Sequence, residues 1–456
     1  MKFLDREHEK ERLLKAISRK KPALIIIYGR RRCGKSTLIK NTLRQGDIYF
    51  VAQQADETLQ RIHLAKTIGE KINGFDSVIY PDWESLFTNL NNLIREPLTL
   101  CIDEFPYLVK SSPGLPSLLQ KIIDNTPRRK YHLILCGSSQ QMMQGMVLES
   151  SSPLYGRADE IIKISPLAPG WITEALHCSP LQAVAEYSVW GGVPRYWELR
   201  AEERSFRAAV INIVLDRFGP LHEEPARLFL DDMRESVQAF SILSVIGAGA
   251  GRLSEIAARL NKPATHLARP LDNLIQQGYL KREMPFGEPP KNSKRSIYRI
   301  ADPFMNFYFT FLVPNLSRLE LGLNDTVYKS IEPKLQGYIA AEWENLCRRA
   351  VSVEPVSGIE FDIASKWWGT NLKRELMEID IVAESVDRKY LLVGECKWSG
   401  VNNPEKLLEE IKEKAELLPF AGKKKIIPVI FIKETSRNKI PENVFLPSHV
   451  MKRLKD

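Results

Sequence analysis

The run Gly29-Arg30-Arg31-Arg32-Cys33-Gly34-Lys35-Ser36 has the residue types and spacing of a phosphate cradle. Glycines at 29 and 34 permit the backbone angles that aim successive N–H groups at an anion. Lys35 reaches the outer phosphates of ATP, the Ser36 hydroxyl ligates Mg²⁺, and Thr37 carries the cradle into a helix whose positive end faces the ligand. Of the three arginines inside the loop, at least one counters phosphate charge, and the others face the sheet edge or partner domains.

A second constellation follows at Leu98-Thr99-Leu100-Cys101-Ile102-Asp103-Glu104, an apolar run ending in two acids. Asp103 is expected to hold Mg²⁺ through its water shell, and Glu104 to polarise the attacking water, which favours hydrolysis over simple nucleotide binding. Ser138, at the tip of Gly137-Ser138-Ser139, is the candidate sensor of the terminal phosphate; a polar turn is the alternative. Arg157 is a candidate arginine finger, acting within one chain or across the boundary of a homo-oligomer, with a surface arginine as the alternative.

A third constellation lies near the C-terminus. In Glu378-Ile379-Asp380-Ile381 the two acids share one strand face, and in Glu395-Cys396-Lys397 the acid and the lysine do. A turn at 386–389 makes these strands a hairpin and brings Asp380 to Glu395. Two such carboxylates bind Mg²⁺, Lys397 positions or deprotonates a water, and Glu344 on the preceding helix supplies a further ligand. The spacing resembles that of PD-(D/E)xK nucleases, although the first strand lacks a Pro-Asp pair; an inert, nuclease-derived domain that only binds DNA or a partner is the alternative.

The elements that position these residues are legible as patterns. Continuous apolar runs at 24–28, 48–51, 98–102, 132–136 and 161–164, separated by helical stretches, predict a parallel sheet buried on both faces. Lys35–Arg44 reads as a helix. The strand 132–136 is expected to lie between the loop strand and the acidic strand. Residues 1–165 are thus expected to form the nucleotide-binding core, and 166–230 a helical lid.

Residues 231–300 show three short helices and a basic hairpin, the layout of a winged helix. Its recognition helix is expected over Ala264–Gln277 with Pro270 kinking it. Thr265, His266 and Arg269 would face a DNA groove, with Lys281, Arg282, Lys291, Lys294, Arg295 and Arg299 in the wing; a packing or lid module is the alternative. Residues 301–330 form an aromatic connector. Residues 331–456 read as a helix over 335–351, strands at 360–365, 376–383 and 390–397, a helix at 404–418 and a strand at 425–433.

Composition sets the outer bounds. The 456 residues allow about three domains. An apolar fraction of 44% supports packed cores, and a net charge of +9 permits but does not require a polyanionic partner such as DNA. Six scattered cysteines without Cys-x-x-Cys argue against structural zinc and for a reducing compartment. A charged N-terminus and short apolar runs predict a soluble, cytoplasmic protein without a membrane association.

Taken together, Phe3-x-Asp5-Arg6-Glu7, the 28–36 loop, Asp103-Glu104-Phe105 and Gly191-Gly192-Val193-Pro194 resemble the archaeal-type ATPase family, in the STAND branch of P-loop NTPases. The segment Tyr298-Arg-Ile-x-Asp302-Pro303-Phe304 and the C-terminal motifs resemble a domain of unknown function often fused to it. The resemblance implies an α/β, AAA-like P-loop sheet of the ASCE type and a regulated switch. It also implies that Arg6 helps close the nucleotide pocket and that Pro194 lies beside the adenine.

Overall fold

The five apolar runs of the N-terminal part form one sheet of parallel strands: β1 (Leu24–Tyr28), β2 (Ile48–Val51), β3 (Leu98–Asp103), β4 (Tyr131–Gly137) and β5 (Glu160–Lys163). Their order is β2-β3-β4-β1-β5, so β4 separates the loop strand from the acidic strand, as its sequence predicts. The computed structural model describes residues 3–125, 129–232, 236–289, 295–437 and 440–455. The chain divides into two units, Phe3–Pro166 and Leu167–Asp456.

In the first unit every residue of β1 and β4 is buried, because helices cover both sheet faces. Ile25, Ile26 and Ile27 are at most 1% exposed. Each such side chain stabilises the fold by roughly 1.5–3 kcal/mol relative to exposure. In a parallel sheet all chain segments that leave the strands do so at one edge. Here that edge gathers the loop after β1, Glu104 after β3 and Ser138 after β4. The helix after the loop is short, Lys35–Lys40, ending before the expected Arg44.

In the second unit, the 3-10 turn Pro169–Trp171 and the short helix Ile172–Ala175 lead to the helices Pro180–Trp190 and Pro194–Ala201. Gly191 joins them in a left-handed conformation at φ +56°, and its carbonyl accepts a 2.6 Å hydrogen bond from the Trp197 indole. Further on, helices Ser236–Gly247, Leu253–Arg259 and Ala268–Gln276 precede the antiparallel pair β6 (Leu280–Glu283) and β7 (Ile297–Ile300). The aromatic segment that follows is core: Phe304, Phe307, Tyr308, Phe309 and Phe311 are all buried.

Three sequence expectations are corrected here. The stretch Ala264–Gln277 is not one helix: a 3-10 turn at Ala264–His266 precedes a helix that starts at Ala268. Pro270 therefore occupies the first helical turn, where no intrahelical hydrogen bond is lost and no kink arises. The long C-terminal helix spans Asn324–Val353 rather than beginning at Leu335. It contains Pro333, and the buried Val327, Tyr328 and Ile331 carry the helix through a residue that usually ends one. The expected strand at 360–365 is displaced to β8 (Ser365–Thr370), since Trp367 is the side chain that packs, edge-on to Phe420. The preceding residues add only isolated backbone bonds alongside β9, such as Asp362 N–H to the Glu384 carbonyl.

With β9 (Leu376–Glu384), β10 (Tyr390–Gly400), β11 (Lys425–Glu434) and β12 (Val444–Phe445), β8 completes a mixed sheet in the order β12-β11-β10-β9-β8. β9 and β10 are antiparallel, with Ile381 opposite Gly394, and β10 and β11 are parallel. The Asn324–Val353 helix packs on β9 and β10, where the Trp343 indole stacks obliquely on Trp398. The helix Pro404–Glu416 packs on β11 and β10. Among the described residues no helix is long and apolar enough to cross a membrane, and all six cysteines are free thiols.

Candidate functional site

At the sheet edge of the first unit, Gly29 is held against the end of β5. A Cβ placed there would lie 2.1 Å from the Ile164 carbonyl oxygen, so the loop can leave β1 at this angle only with glycine. Gly34, at φ +89°, caps the following helix from the left-handed region, with no side-chain cap. The Lys35 ammonium curls beneath the loop and donates to the carbonyls of Gly29 (2.8 Å) and Arg30 (3.1 Å). Arg6 is buried and donates to the carbonyls of Cys33 (3.1 Å) and Ser165 (2.5 Å), tying the N-terminal segment to the loop. Arg30 and Cys33 are buried, whereas Arg32 and Thr37 are exposed.

The acids meet the loop as their spacing predicts. Ser36 Oγ donates to Asp103 Oδ2 at 2.6 Å, and the Tyr49 hydroxyl donates to the same oxygen at 2.5 Å. Burial works to raise the Asp103 pKa, but the bonds from Ser36, Tyr49 and Cys136 outweigh it and hold the carboxyl below its usual value. Two neutral hydroxyls on an ionised carboxylate leave hard oxygen donors of the kind Mg²⁺ takes.

Glu104 sits at φ +53°, a left-handed conformation that costs a non-glycine residue free energy. That strain turns its side chain to Ser138, which donates to Oε2 from its hydroxyl (2.9 Å) and its backbone N–H (3.3 Å). Arg31 continues the network, donating to Ser138 Oγ (3.3 Å) and to the Tyr107 hydroxyl (2.6 Å).

Arg157 lies elsewhere. It precedes β5, and so stands at the opposite edge of the sheet from the loop. It forms a forked pair with Asp124, at 2.7–3.0 Å, with both side chains partly exposed. In this arrangement Arg157 does not reach the 29–36 loop. Pro194 is the first residue of the Pro194–Ala201 helix in the second unit.

In the C-terminal sheet, the β9–β10 pairing puts Asp380 beside the Glu395-Cys396-Lys397 run: the Cys396 N–H donates to Asp380 Oδ2 at 2.9 Å. Burial, and then the charge of Glu344, push the Asp380 pKa up to about 6. The acids do not converge on one point, however. Among the described residues no three His, Cys, Asp or Glu side chains are gathered as a metal site. Lysines hold them instead. Lys397 and Lys414 pair with Glu395 at 2.7 and 3.2 Å. Lys366 contacts Glu378 and approaches Glu344 at 3.3 Å and Asp380 at 3.8 Å. The expected triad of Glu344, Asp380 and Glu395 is thus assembled around ammonium groups.

Comparison with known proteins decides the family. A model described as an ATPase domain predominantly from Archaea matches residues 3–174, and one for archaeal and bacterial proteins of unknown function matches residues 308–411. Uncharacterized protein MJECL04 of Methanocaldococcus jannaschii is 30% identical over 437 residues, covering 94% of this chain and 95% of its own. The chain belongs to the archaeal-type ATPase family. This archaeal-type ATPase shares its fold with the Walker-type ATPase PABY2304 of Pyrococcus abyssi. The two superpose with a TM-score of 0.52 at 20% identity, covering 67% of this chain and 96% of that one. A weaker likeness, TM-score 0.41 at 16% identity over 70% and 95% of the two chains, is to the ORC2 protein of Aeropyrum pernix in ADPNP–ADP complexes.

Several residues of the ATPase carry no signal in the sequence. Tyr49 is on an edge strand, where an aromatic usually signals packing, and only the sheet order reveals its reach to Asp103. Tyr107, one turn into the helix after Glu104, is identified as a partner of Arg31 only by contact. Lys366 is hidden because its strand begins five residues later than the apolar pattern suggests. In the hairpin of this ATPase, Lys281 and Arg299 both pair with Glu283, and Arg295 pairs with Glu288. Lys291 and Lys294 lie outside the described residues.

Proposed function

We propose that ATP binding and hydrolysis at the 29–36 loop set the state of a Mg²⁺-dependent DNA-processing site in the C-terminal domain. In the first unit, Lys35 and the loop amides would hold the phosphates, with Arg31 supplying further positive charge and Arg6 fixing the loop. Ser36 and Asp103 would hold Mg²⁺, which neutralises phosphate charge when bound. Glu104 would accept the proton of a water aimed at the terminal phosphorus, and Ser138, bonded to Glu104, would report the phosphate's presence. Arg157 would act only on a neighbouring copy, across a homo-oligomer boundary.

The observation that carries the nuclease part is the pairing of Asp380 with the Glu395-x-Lys397 run on adjacent antiparallel strands. The exposed Thr265, His266 and Arg269, ahead of a basic hairpin, support DNA contact by a winged helix, sequence-independent where it reaches phosphates. The test is plasmid nicking with Mg²⁺ or Mn²⁺. Wild type should nick and Lys397→Ala should not; equal background from both ends this reading.

The position of Lys366 favours a second reading. An ammonium among Glu344, Glu378 and Asp380 stands where a metal would be needed, as in a domain that only binds DNA or a partner. The chain would then be a non-catalytic STAND-type switch. Nucleotide-dependent oligomerisation without metal binding at Asp380 and Glu395 would select this reading.

A further inference from the structure

The second unit has a partly open cavity of about 490 Å³ between the Asn324–Val353 helix, β6 and the segment leading into β8. Five cations line it, Lys281, Arg282, Arg348, Arg349 and Lys366, against two carboxylates, Glu283 and Glu342. Lys281 pairs with Glu283, and Arg348 and Lys366 also face acids behind the lining, so the positive excess of the wall is partial; it still favours an anion over a cation.

The cations are held in place as well as numerous. Asn345 Oδ1 accepts from Lys281 Nζ at 2.8 Å and from Arg348 at 2.7 Å, so two cationic groups from different elements converge on one neutral oxygen. Arg348 is anchored again on the Asp380 carbonyl at 2.9 Å and is only 12% exposed. A phosphate oxygen beside Asn345 would find these donors already oriented, which lowers the entropic cost of binding. Met284, Leu346 and Ile363 give the same cavity an apolar surface, and Ile363 is 81% exposed although it carries no charge.

Size narrows the ligand. The volume falls in the range of about 300–1,000 Å³ typical of small-ligand sites. It suits one nucleotide unit and is too small to hold a duplex. We propose that this cavity binds a single phosphorylated nucleotide unit, either free or as the terminus of a single strand. The site is distinct from the 29–36 loop and adjoins the acidic centre through Lys366 and Arg348, but it needs no metal, so titration in EDTA tests it apart from the nuclease reading.

The experiment uses the full chain carrying Lys35→Ala, to silence the loop, in EDTA. Calorimetric titrations compare thymidine 5′-monophosphate, 5′-phosphorylated hexathymidylate and thymidine. At least one phosphorylated probe should bind one-to-one, thymidine at least about tenfold more weakly, and Arg349→Ala should weaken the phosphorylated probe about tenfold. Equal affinity for monophosphate and hexamer identifies a free nucleotide as the ligand, and binding of the hexamer alone identifies a strand end. Failure of both phosphorylated probes to saturate, or undiminished binding by Arg349→Ala, overturns the proposal. Should Arg349→Ala not fold, hydrogen exchange on the Lys35→Ala chain decides instead: the bound probe must slow exchange across 280–284 and 345–352, and unchanged exchange there refutes the site.

Discussion

The two acidic centres of this chain are built on opposite electrostatic plans. At the end of β3, Asp103 is held by the neutral hydroxyls of Ser36 and Tyr49, so its charge stays uncompensated and available to a cation. In the C-terminal sheet, Glu395 is paired with Lys397 and Lys414, and a single ammonium, Lys366, stands among Glu344, Glu378 and Asp380. The first centre needs only a ligand to arrive. On the proposed nuclease reading, the second would have to exchange an ammonium for a metal, a step that a regulatory domain could control.

The sharpest way to break this contrast is at the nucleotide loop. Lys35→Ala and Glu104→Gln should each lower ATP turnover by about a hundredfold or more, Lys35→Ala with weakened nucleotide binding and Glu104→Gln with binding kept. A steady-state ATPase assay with parallel calorimetry separates the two. Near-normal turnover in Glu104→Gln would shift the role of base to another group.

The next largest effect should come from Lys366. If it stands in for a cation, Lys366→Gln should tighten Mn²⁺ binding in the C-terminal domain about tenfold, read by electron paramagnetic resonance with the loop silenced by Lys35→Ala. No Mn²⁺ binding in either protein would favour the binding-only reading.

A smaller effect tests the electrostatics of Asp380 directly. Its folded pKa, raised by burial and by Glu344 to about 6, exceeds its unfolded value. Ionising it therefore penalises the fold above about pH 6, and the penalty fades as pH falls toward the unfolded value near 4. Asp380→Asn in EDTA should gain ~2 kcal/mol at pH 8 and only about a third of that at pH 4.5, measured by denaturant unfolding. A gain independent of pH would remove the burial argument.

The smallest effect is expected at Arg157. At concentrations where the protein is monomeric, Arg157→Ala should leave ATP turnover within about twofold of wild type, since its partner is Asp124 on the far side of the sheet. A large loss confined to oligomeric samples would assign it to the neighbouring copy.

How legible each centre is in the sequence follows from the same contrast. The parallel sheet can be read strand by strand because β1, β3 and β4 are buried on both faces, which demands unbroken apolar runs. The loop can be read because Gly29 and Lys35 have no alternative that serves the geometry. In the C-terminal mixed sheet the runs buried on both faces are short, as at 391–394 and 429–432, and its signals are weaker. Trp367 and Trp368 hide the true first strand, and Pro333 hides the early turns of the long helix. Lys366 has no motif at all, since an ammonium among acids is a property of packing rather than of spacing. Tyr49 is silent for a similar reason: nothing in an Ile-Tyr-Phe-Val run announces a hydrogen bond to a carboxylate 54 residues away.

The most direct test is diffraction from crystals grown with Mn²⁺ and a non-hydrolysable ATP analogue, locating manganese by its anomalous signal. Manganese should appear with the nucleotide between Ser36 and Asp103 in the wild-type chain, and at Asp380 and Glu395 only once Lys366 has moved away. Nucleotide bound anywhere but the 29–36 loop, or manganese at Asp380 with Lys366 still among its acids, would contradict the account.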